Sequence, residues 1–483
     1  MFSKITFGLK ENKWLVFASL IFCAISLFFL WNDSWYFSLL PIVLFAVYGA
    51  IFYTEITFLS LFFFVPISIN IEEYTQSFGL FIPTEPMLFG LMLLLVIQQI
   101  KFQVFPRFLF KSQLVWIIVF YLLWIFITSI TSSNPVASFK FFLAKLWFII
   151  PVFFYGASVF QKRKNILTFL YLFIAGMTIA MLYTLVTHAS YQFGEKEGHW
   201  VMNPLFKDHT IYGALVAFVL PLVVGIYFSK KHNPLVQLIL ISVFTINLLA
   251  LYFSYTRAAW LSIIVALFVL FLIKFKIKFS WILATTVTIG IVVFFSWTAI
   301  EQSLAKNNAE HTTEDFGERM ESVSNVTSDA SNLERLNRWS CAIDMYMERP
   351  FFGFGPGTFA FEYARFQEPE NLTIISTNFG NGGNAHSEYL GPMAETGTIG
   401  LLSVLALIAS IFYTGIRLYI DFDKKDKEMR TLILAMILAL VTYFFHGILN
   451  NYFDTDKAAM PIWAICAIFI TLGNLSKSNN QIS

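Results

Sequence analysis

The chain has 483 residues, of which 57% are hydrophobic and only 13% are Asp, Glu, Lys or Arg, about half the roughly 25% charged share of an ordinary globular domain. That balance excludes a soluble enzyme, and a formal net charge of +2 supplies no basic field for nucleic acid. Of the three cysteines, Cys23 and Cys466 lie in apolar runs and Cys341 stands alone, so no disulfide framework is expected.

Apolar runs recur along the whole chain, each long enough to cross a hydrocarbon layer of about 30 Å at about 1.5 Å per helical residue. Fourteen spans are expected, at 14–31, 35–53, 56–70, 84–100, 113–133, 138–160, 165–187, 210–228, 235–255, 258–273, 280–299, 395–416, 431–448 and 458–474. The third is the shortest. The fold class is therefore an all-α polytopic membrane protein of about 12–14 transmembrane helices. Threaded from a cytoplasmic N-terminus, these spans collect 20 of the 32 Lys and Arg on one side. Opposite connections such as Ser132-Ser133-Asn134-Pro135 and Asn450 to Asp456 are almost free of basic residues, as the positive-inside rule demands of the translocated side. Both termini are expected in the cytoplasm, and the first span, following Lys13 directly, reads as an anchor rather than a cleaved signal. Three parts follow: N-terminal membrane helices over 1–299, an external loop over 300–394, and C-terminal helices with a tail over 395–483.

The loop holds 14 acidic residues against 6 basic ones, so each of its cations is a candidate for a specific contact. Ser331 followed by Glu334 reads as a capping box, and Leu336, Trp339, Ile343 and Met347 recur at helical spacing until Pro350, predicting an amphipathic helix over about 332–349. Arg335 and Arg338 share one face of it, with Trp339 placed to stack on Arg335. Guanidinium forks suit phosphate oxygens, although two arginines beside Glu334 read equally as a solvated ion-paired face. Gly353-Phe354-Gly355-Pro356-Gly357 lacks the strand and helix of a phosphate-cradling loop and reads as a tight turn. His386, in Asn384-Ala385-His386-Ser387-Glu388, sits just before the twelfth span. Its imidazole is suited to accept a proton from a hydroxyl nucleophile, and nearby arginines would disfavour its cation.

Arg257 interrupts two spans at their external junction, where an arginine near hydrocarbon needs a partner or a function. Lys140 and Lys145 enter the outer part of the sixth span, where snorkelling is the competing explanation. Asp208, in Lys207-Asp208-His209-Thr210, is a helix cap, with His209 facing inward. Asp454-Thr455-Asp456 has the spacing of a divalent-metal pair but reads as a solvated turn. Arg257, Arg335, Arg338, Lys140, Lys145 and His386 all fall on one membrane face, which suits a diphosphate whose apolar tail remains in lipid.

From about 331 to 401, Arg335, Trp339, Arg349-Pro350, Gly353 through Phe359, His386-Ser387 and Gly397-Thr398-Ile399-Gly400 resemble, in order and spacing, the signature of the O-antigen ligase and polymerase superfamily of bacterial envelope glycosyltransferases. The resemblance implies an undecaprenyl-diphosphate-linked glycan as donor. The acceptor it implies is the lipid A core in ligases, a lipid-linked repeat unit in polymerases, or a protein hydroxyl in related transferases. It further implies an inner-membrane protein with its site facing the periplasm, His386 as base, Arg335 and Arg257 as partners of the diphosphate or of an acceptor phosphate, and no metal or cofactor. Arg338, Lys140 and Lys145 are expected to add charge for the diphosphate, with Asp208, His209, Trp339 and Ser387 in support. An aromatic at Trp339, where many ligases carry an aliphatic residue, leaves ligase and polymerase both open, ligase first. A transporter of lipid-linked glycans is the competing class, but it would place its charges near the bilayer midplane in paired halves, whereas here they gather in one loop.

Overall fold

The computed structural model describes residues 13–32, 36–71, 80–276, 330–367 and 383–480. Two compact units divide the chain, Met1–Phe58 and Leu59–Ser483. The first holds α1 (Lys13–Trp31), α2 (Leu40–Phe52) and the start of α3 (Thr54–Phe64). Within it Phe37 stacks on Phe22 and Phe29, with ring centroids 5.4 and 5.3 Å apart.

The second unit continues with a two-stranded antiparallel hairpin, β1 (Ile69–Asn70) and β2 (Phe81–Ile82). There follow α4 (Thr84–Phe102), α5 (Gln113–Ile130), α6 (Pro135–Val159), α7 (Arg163–Ser190), α8 (His209–Ser229), α9 (Pro234–Tyr252) and α10 (Arg257–Lys274). After these come α11 (Ala330–Glu348), α12 (Leu390–Asp421), α13 (Lys427–His446) and α14 (Asp456–Asn480). Ten of these helices are long and apolar enough to cross a membrane, and they match ten of the expected spans. The expected spans 14–31, 35–53 and 56–70 appear as shorter apolar helices, Ser19–Trp31, Phe37–Phe52 and Thr54–Ile67. The expected span 280–299 lies outside the described residues.

Burial separates a centre from a rim. The apolar windows of α8, α13 and α14 are 78%, 78% and 83% buried, against 17–50% for the other seven. α8 explains why: apolar side chains cover its whole circumference, the pattern of a helix enclosed on all sides. Close approach of α8 to α13 needs a small residue, since a Cβ on Gly225 would lie 2.3 Å from the Cβ of Ala435. Rim helices such as α9 and α10 leave Leu238, Leu267 and Phe268 exposed, as lipid-facing side chains are.

α11 forms as expected, but it buries a different face. Glu334, Asn337, Arg338, Cys341, Ala342 and Met345 are buried, whereas Ile343 and Met347, members of the expected apolar stripe, are 42% and 69% exposed. The helix packs instead through Cys341, Ala342 and Met345 onto Phe354, Phe359, Tyr363 and Ala394. Small and polar residues suit this face because the partner surface is close and aromatic. The glycine-rich segment after α11 is a tight turn, and both neighbouring surfaces hold it: Ser133 N donates to the Phe354 carbonyl (2.8 Å), and Gly355 N donates to the Glu395 carbonyl (2.7 Å).

α12 is interrupted at Gly397, whose φ of 69° and ψ of −165° are not helical. The break admits the 350–351 backbone: Thr398 N donates to the Pro350 carbonyl at 2.8 Å, and a Cβ on Gly397 would lie 2.2 Å from the Phe351 oxygen. Gly397→Ala should therefore lower stability by about 1–3 kcal/mol through clash and a left-handed backbone. A Gly473→Ala control, with nothing within 4 Å of its added Cβ, should not; thermal unfolding in detergent compares the two.

Candidate active site

Between α11 and α12 the segment Asn384–Glu388 is tied down by hydrogen bonds through Asn384, His386, Ser387 and Glu388, with Ala385 buried against the α11 cluster. Asn384 Oδ1 accepts the His386 amide (3.0 Å), and the Trp339 indole donates to the His386 carbonyl (3.4 Å). Ser387 Oγ accepts the amides of Tyr389 and Leu390 at 3.3 Å each, capping the start of α12. Glu388 Oε1 accepts from the Tyr443 hydroxyl (2.7 Å) and from the amides of Tyr452 (2.7 Å) and Phe453 (2.8 Å). The Glu388 amide in turn donates to the Gly447 carbonyl at 2.8 Å. This loop is thereby joined to the turn between α13 and α14. His386 itself has φ of 46°, a left-handed backbone that few non-glycine residues adopt.

The tethered loop walls a cavity of about 610 Å³ lined by His386, Asp208, Lys207, Lys145, Glu388 and Glu395 among others. Burial pushes the His386 imidazole down to about 4, with Arg338 and then Arg335 adding to the effect and Asp208 and Glu334 opposing it. Near neutral pH the ring is therefore uncharged and able to accept a proton. Glu388 is pushed up to about 7, by burial first and then by Asp454.

The structure sorts the expected residues into groups. Arg335 lies close enough to His386 to act on its charge. Arg338 does so too, but it is packed into the protein: Nε donates to Glu334 (2.7 Å), Nη1 to the Asn384 carbonyl (3.1 Å), and the guanidinium lies 4.9 Å from the Tyr363 ring centroid. Trp339, expected to stack on Arg335, donates its indole N–H to the His386 carbonyl, and the arginine that lies over Tyr363 is Arg338. Asp208 caps α8, accepting the amides of Thr210 (2.8 Å) and Ile211 (3.0 Å), while the Thr210 hydroxyl also touches Tyr452. His209 stacks on His199, centroids 4.2 Å apart, and its carbonyl accepts the Thr256 hydroxyl at 2.9 Å. Arg257, next after Thr256, opens α10, and that bond ties its helix to the His209 end of α8.

Lys140 and Lys145 do not act as a pair. Five residues turn a helix by about 500°, leaving side chains about 140° apart. Lys145 is buried at the cavity wall and ion-paired with Asp454, between the rings of Phe141 and Phe453, whereas Lys140 is exposed. Nor is Asp454-Thr455-Asp456 the solvated turn expected: Asp454 is exposed but ion-paired with Lys145. Asp456 is fully buried, accepting Ser68 Oγ (2.9 Å) and the Thr84 hydroxyl. Beside it Lys457 donates to the carbonyls of Val65 (2.8 Å) and Ser68 (2.7 Å). Among the described residues no group of three His, Cys, Asp or Glu is arranged to hold a metal.

Two residues at the cavity were not singled out from sequence. Glu388 was visible as an acid beside His386. Glu395, which accepts the amides of Gly357 and Phe359 at 2.9 Å each, was visible as a carboxylate at the head of an apolar span, a placement that asks for a partner.

Fold and site together define a polytopic membrane protein with a polar, imidazole-bearing cavity at one end of its helices. Residues 238–405 match the family model described as O-antigen ligase, which supports membership of the O-antigen ligase and polymerase superfamily. That match, roughly a third of the chain, spans Arg257, Arg335, Arg338, Trp339, His386 and Ser387, and leaves Asp208, His209, Lys140 and Lys145 outside it. No curated protein matches the chain.

The depressed His386 carries a stability signature. Its folded value of about 4 lies below the ordinary 6.5, so between those pH values the unfolded chain binds the extra proton and native stability falls as pH drops. At about 1.4 kcal/mol per unit the loss approaches about 3 kcal/mol near pH 4. His386→Asn, which tolerates a left-handed backbone, should flatten the pH 4–6.5 dependence of the unfolding midpoint relative to wild type.

Proposed function

We propose that this family member is an O-antigen ligase, moving a glycan from undecaprenyl diphosphate to a hydroxyl of the lipid A core within the His386 cavity, on the periplasmic side of the inner membrane. The observation that carries the reading is a part-buried imidazole that lines a cavity of about 610 Å³ and is held uncharged near neutral pH by its surroundings, Arg338 and Arg335 among them.

His386 removes the proton from the acceptor hydroxyl as that oxygen attacks the anomeric carbon. The bond from that carbon to the diphosphate oxygen breaks, and the lipid diphosphate departs with the electron pair. Direct displacement inverts the anomeric centre. Negative charge grows on the leaving oxygens, and preset cations in a water-poor site stabilise it. Arg335 and Arg257 take that role, joined by Lys207 on the cavity wall. Arg338, held by Glu334 and Asn384, keeps the imidazole uncharged and its loop in place. Lys145 is neutralised by Asp454 and Lys140 faces outward, so neither is needed for the diphosphate. The acid-rich remainder of the cavity suits sugar hydroxyls, which donate to carboxylates. The twelfth expected span, α12, begins just after His386, and its positive end favours the developing anion.

His386→Asn should abolish transfer from a lipid-linked donor to lipid A core, a loss of at least about 10²-fold, while the protein still inserts and unfolds cooperatively. Retained turnover would remove the base assignment. In wild type the acid limb of kcat/KM should persist well below pH 6.5, and Arg338→Gln should move it upward, because the second largest influence holding the imidazole down is gone. Lengthening of lipid-linked glycans without transfer to lipid A core would make the protein a polymerase instead.

A further inference from the structure

At the opposite end of the helices from His386, the start of α5 and the last turns of α12 and α14 enclose a second groove of about 680 Å³. Its inner walls include Phe108, Leu418 and Phe469, and its rim carries Lys111, Arg417 and Lys477 against the single acid Asp421. Much of the basic charge at this end is already matched: Arg163 pairs with Asp426 at 2.5 Å, Lys230 with Glu428 at 2.8 Å, and Arg430 lies 4.6 Å from the Tyr419 ring centroid. Around the groove it is matched only in part. Arg417 shares Asp421 (3.1 Å) and the Tyr413 hydroxyl (3.1 Å), while Lys111 and Lys477 have no ion pair among the described residues and both stand exposed at the rim.

Ser112 and Gln113 also line the groove, and Ser112 precedes α5 without a capping side-chain bond. The first amides of α5 therefore add positive potential at the same edge. The neighbouring outward surface is apolar, with Phe110, Tyr413 and Ile420 exposed, so the groove opens toward hydrocarbon on one side and toward charge on the other.

We propose that this groove binds an anionic phospholipid, its phosphodiester among Lys111, Arg417 and Lys477 and its acyl chains along the apolar wall. A net positive rim over an apolar wall matches a headgroup joined to a tail, whereas a free anion would leave the wall unused. The site is separate from the His386 cavity and independent of the transfer reaction. It links three helices of which two reach that cavity: the far end of α5 carries Trp124, which donates to the Thr396 carbonyl at 2.9 Å, and α12 begins at the catalytic loop.

The full chain, delipidated in an uncharged detergent, would be titrated with phosphatidylglycerol, phosphatidylcholine or inorganic phosphate, with bound lipid read by native mass spectrometry and protection by thermal unfolding. Wild type should bind phosphatidylglycerol about tenfold more tightly than phosphatidylcholine and be protected by it. A double variant, Lys111→Gln with Lys477→Gln, should lose that preference while unfolding cooperatively, and Lys424→Gln with Lys425→Gln, on the same face but outside the groove, should keep it. No preference in wild type, equal loss in the control pair, or equal protection by inorganic phosphate would each overturn the proposal.

Discussion

The immobilisation of a five-residue segment, Asn384 to Glu388, underlies the rest of the site. An imidazole kept uncharged by burial and by two guanidinium groups is useful only if it stays beside them, and a left-handed backbone at a histidine stays put only when its surroundings over-determine it. Here the restraints come from four directions: the Asn384 side chain, the Trp339 indole of α11, the cap formed by Ser387, and Glu388 with its three donors from the turn after α13 and from α13 itself. Each restraint is a hydrogen bond to a group that burial would otherwise leave unsatisfied, so loosening one exposes the cost of the others.

Charge is arranged on the same principle. Buried ions are tolerable only when paired, and in this protein the pairings divide labour. Glu334 neutralises Arg338 and fixes it under the loop, Asp454 neutralises Lys145 in the cavity wall, and Asp456 with Lys457 joins the head of α14 to the segment before the hairpin. Around the cavity stand the His386 imidazole, Lys207 and the carboxylates of Asp208, Glu388 and Glu395, with Arg335 close enough to act on the imidazole.

The glycines earn their places by contact. Gly397 opens α12 so that the 350–351 backbone can reach Thr398, and the turn before it is gripped by Glu395 from the same helix. The segments after α11 and before α12 are thus both anchored to the apolar helices, which holds the His386 loop in place.

Much of this was legible in the residues. Span length, the one-sided distribution of Lys and Arg, the amphipathic helix before Pro350, the turn at Gly353–Gly357, the cap at Asp208 and the prominence of His386 all follow from local rules: hydrocarbon thickness, helical period, turn chemistry and the ordinary behaviour of imidazole. What local rules could not supply was partnership. Which face of α11 is buried, which lysine of the sixth span turns inward, and whether Asp456 meets water or Ser68 depend on residues up to hundreds of positions away, and a periodic pattern alone cannot tell lipid, solvent and protein apart as the neighbour of an apolar stripe. The sequence by itself determined a polytopic helical membrane protein and singled out an imidazole and several cations; only the tertiary structure decided that Arg338 is paired with Glu334 and Lys145 with Asp454, because pairing is a matter of distance in space and not along the chain.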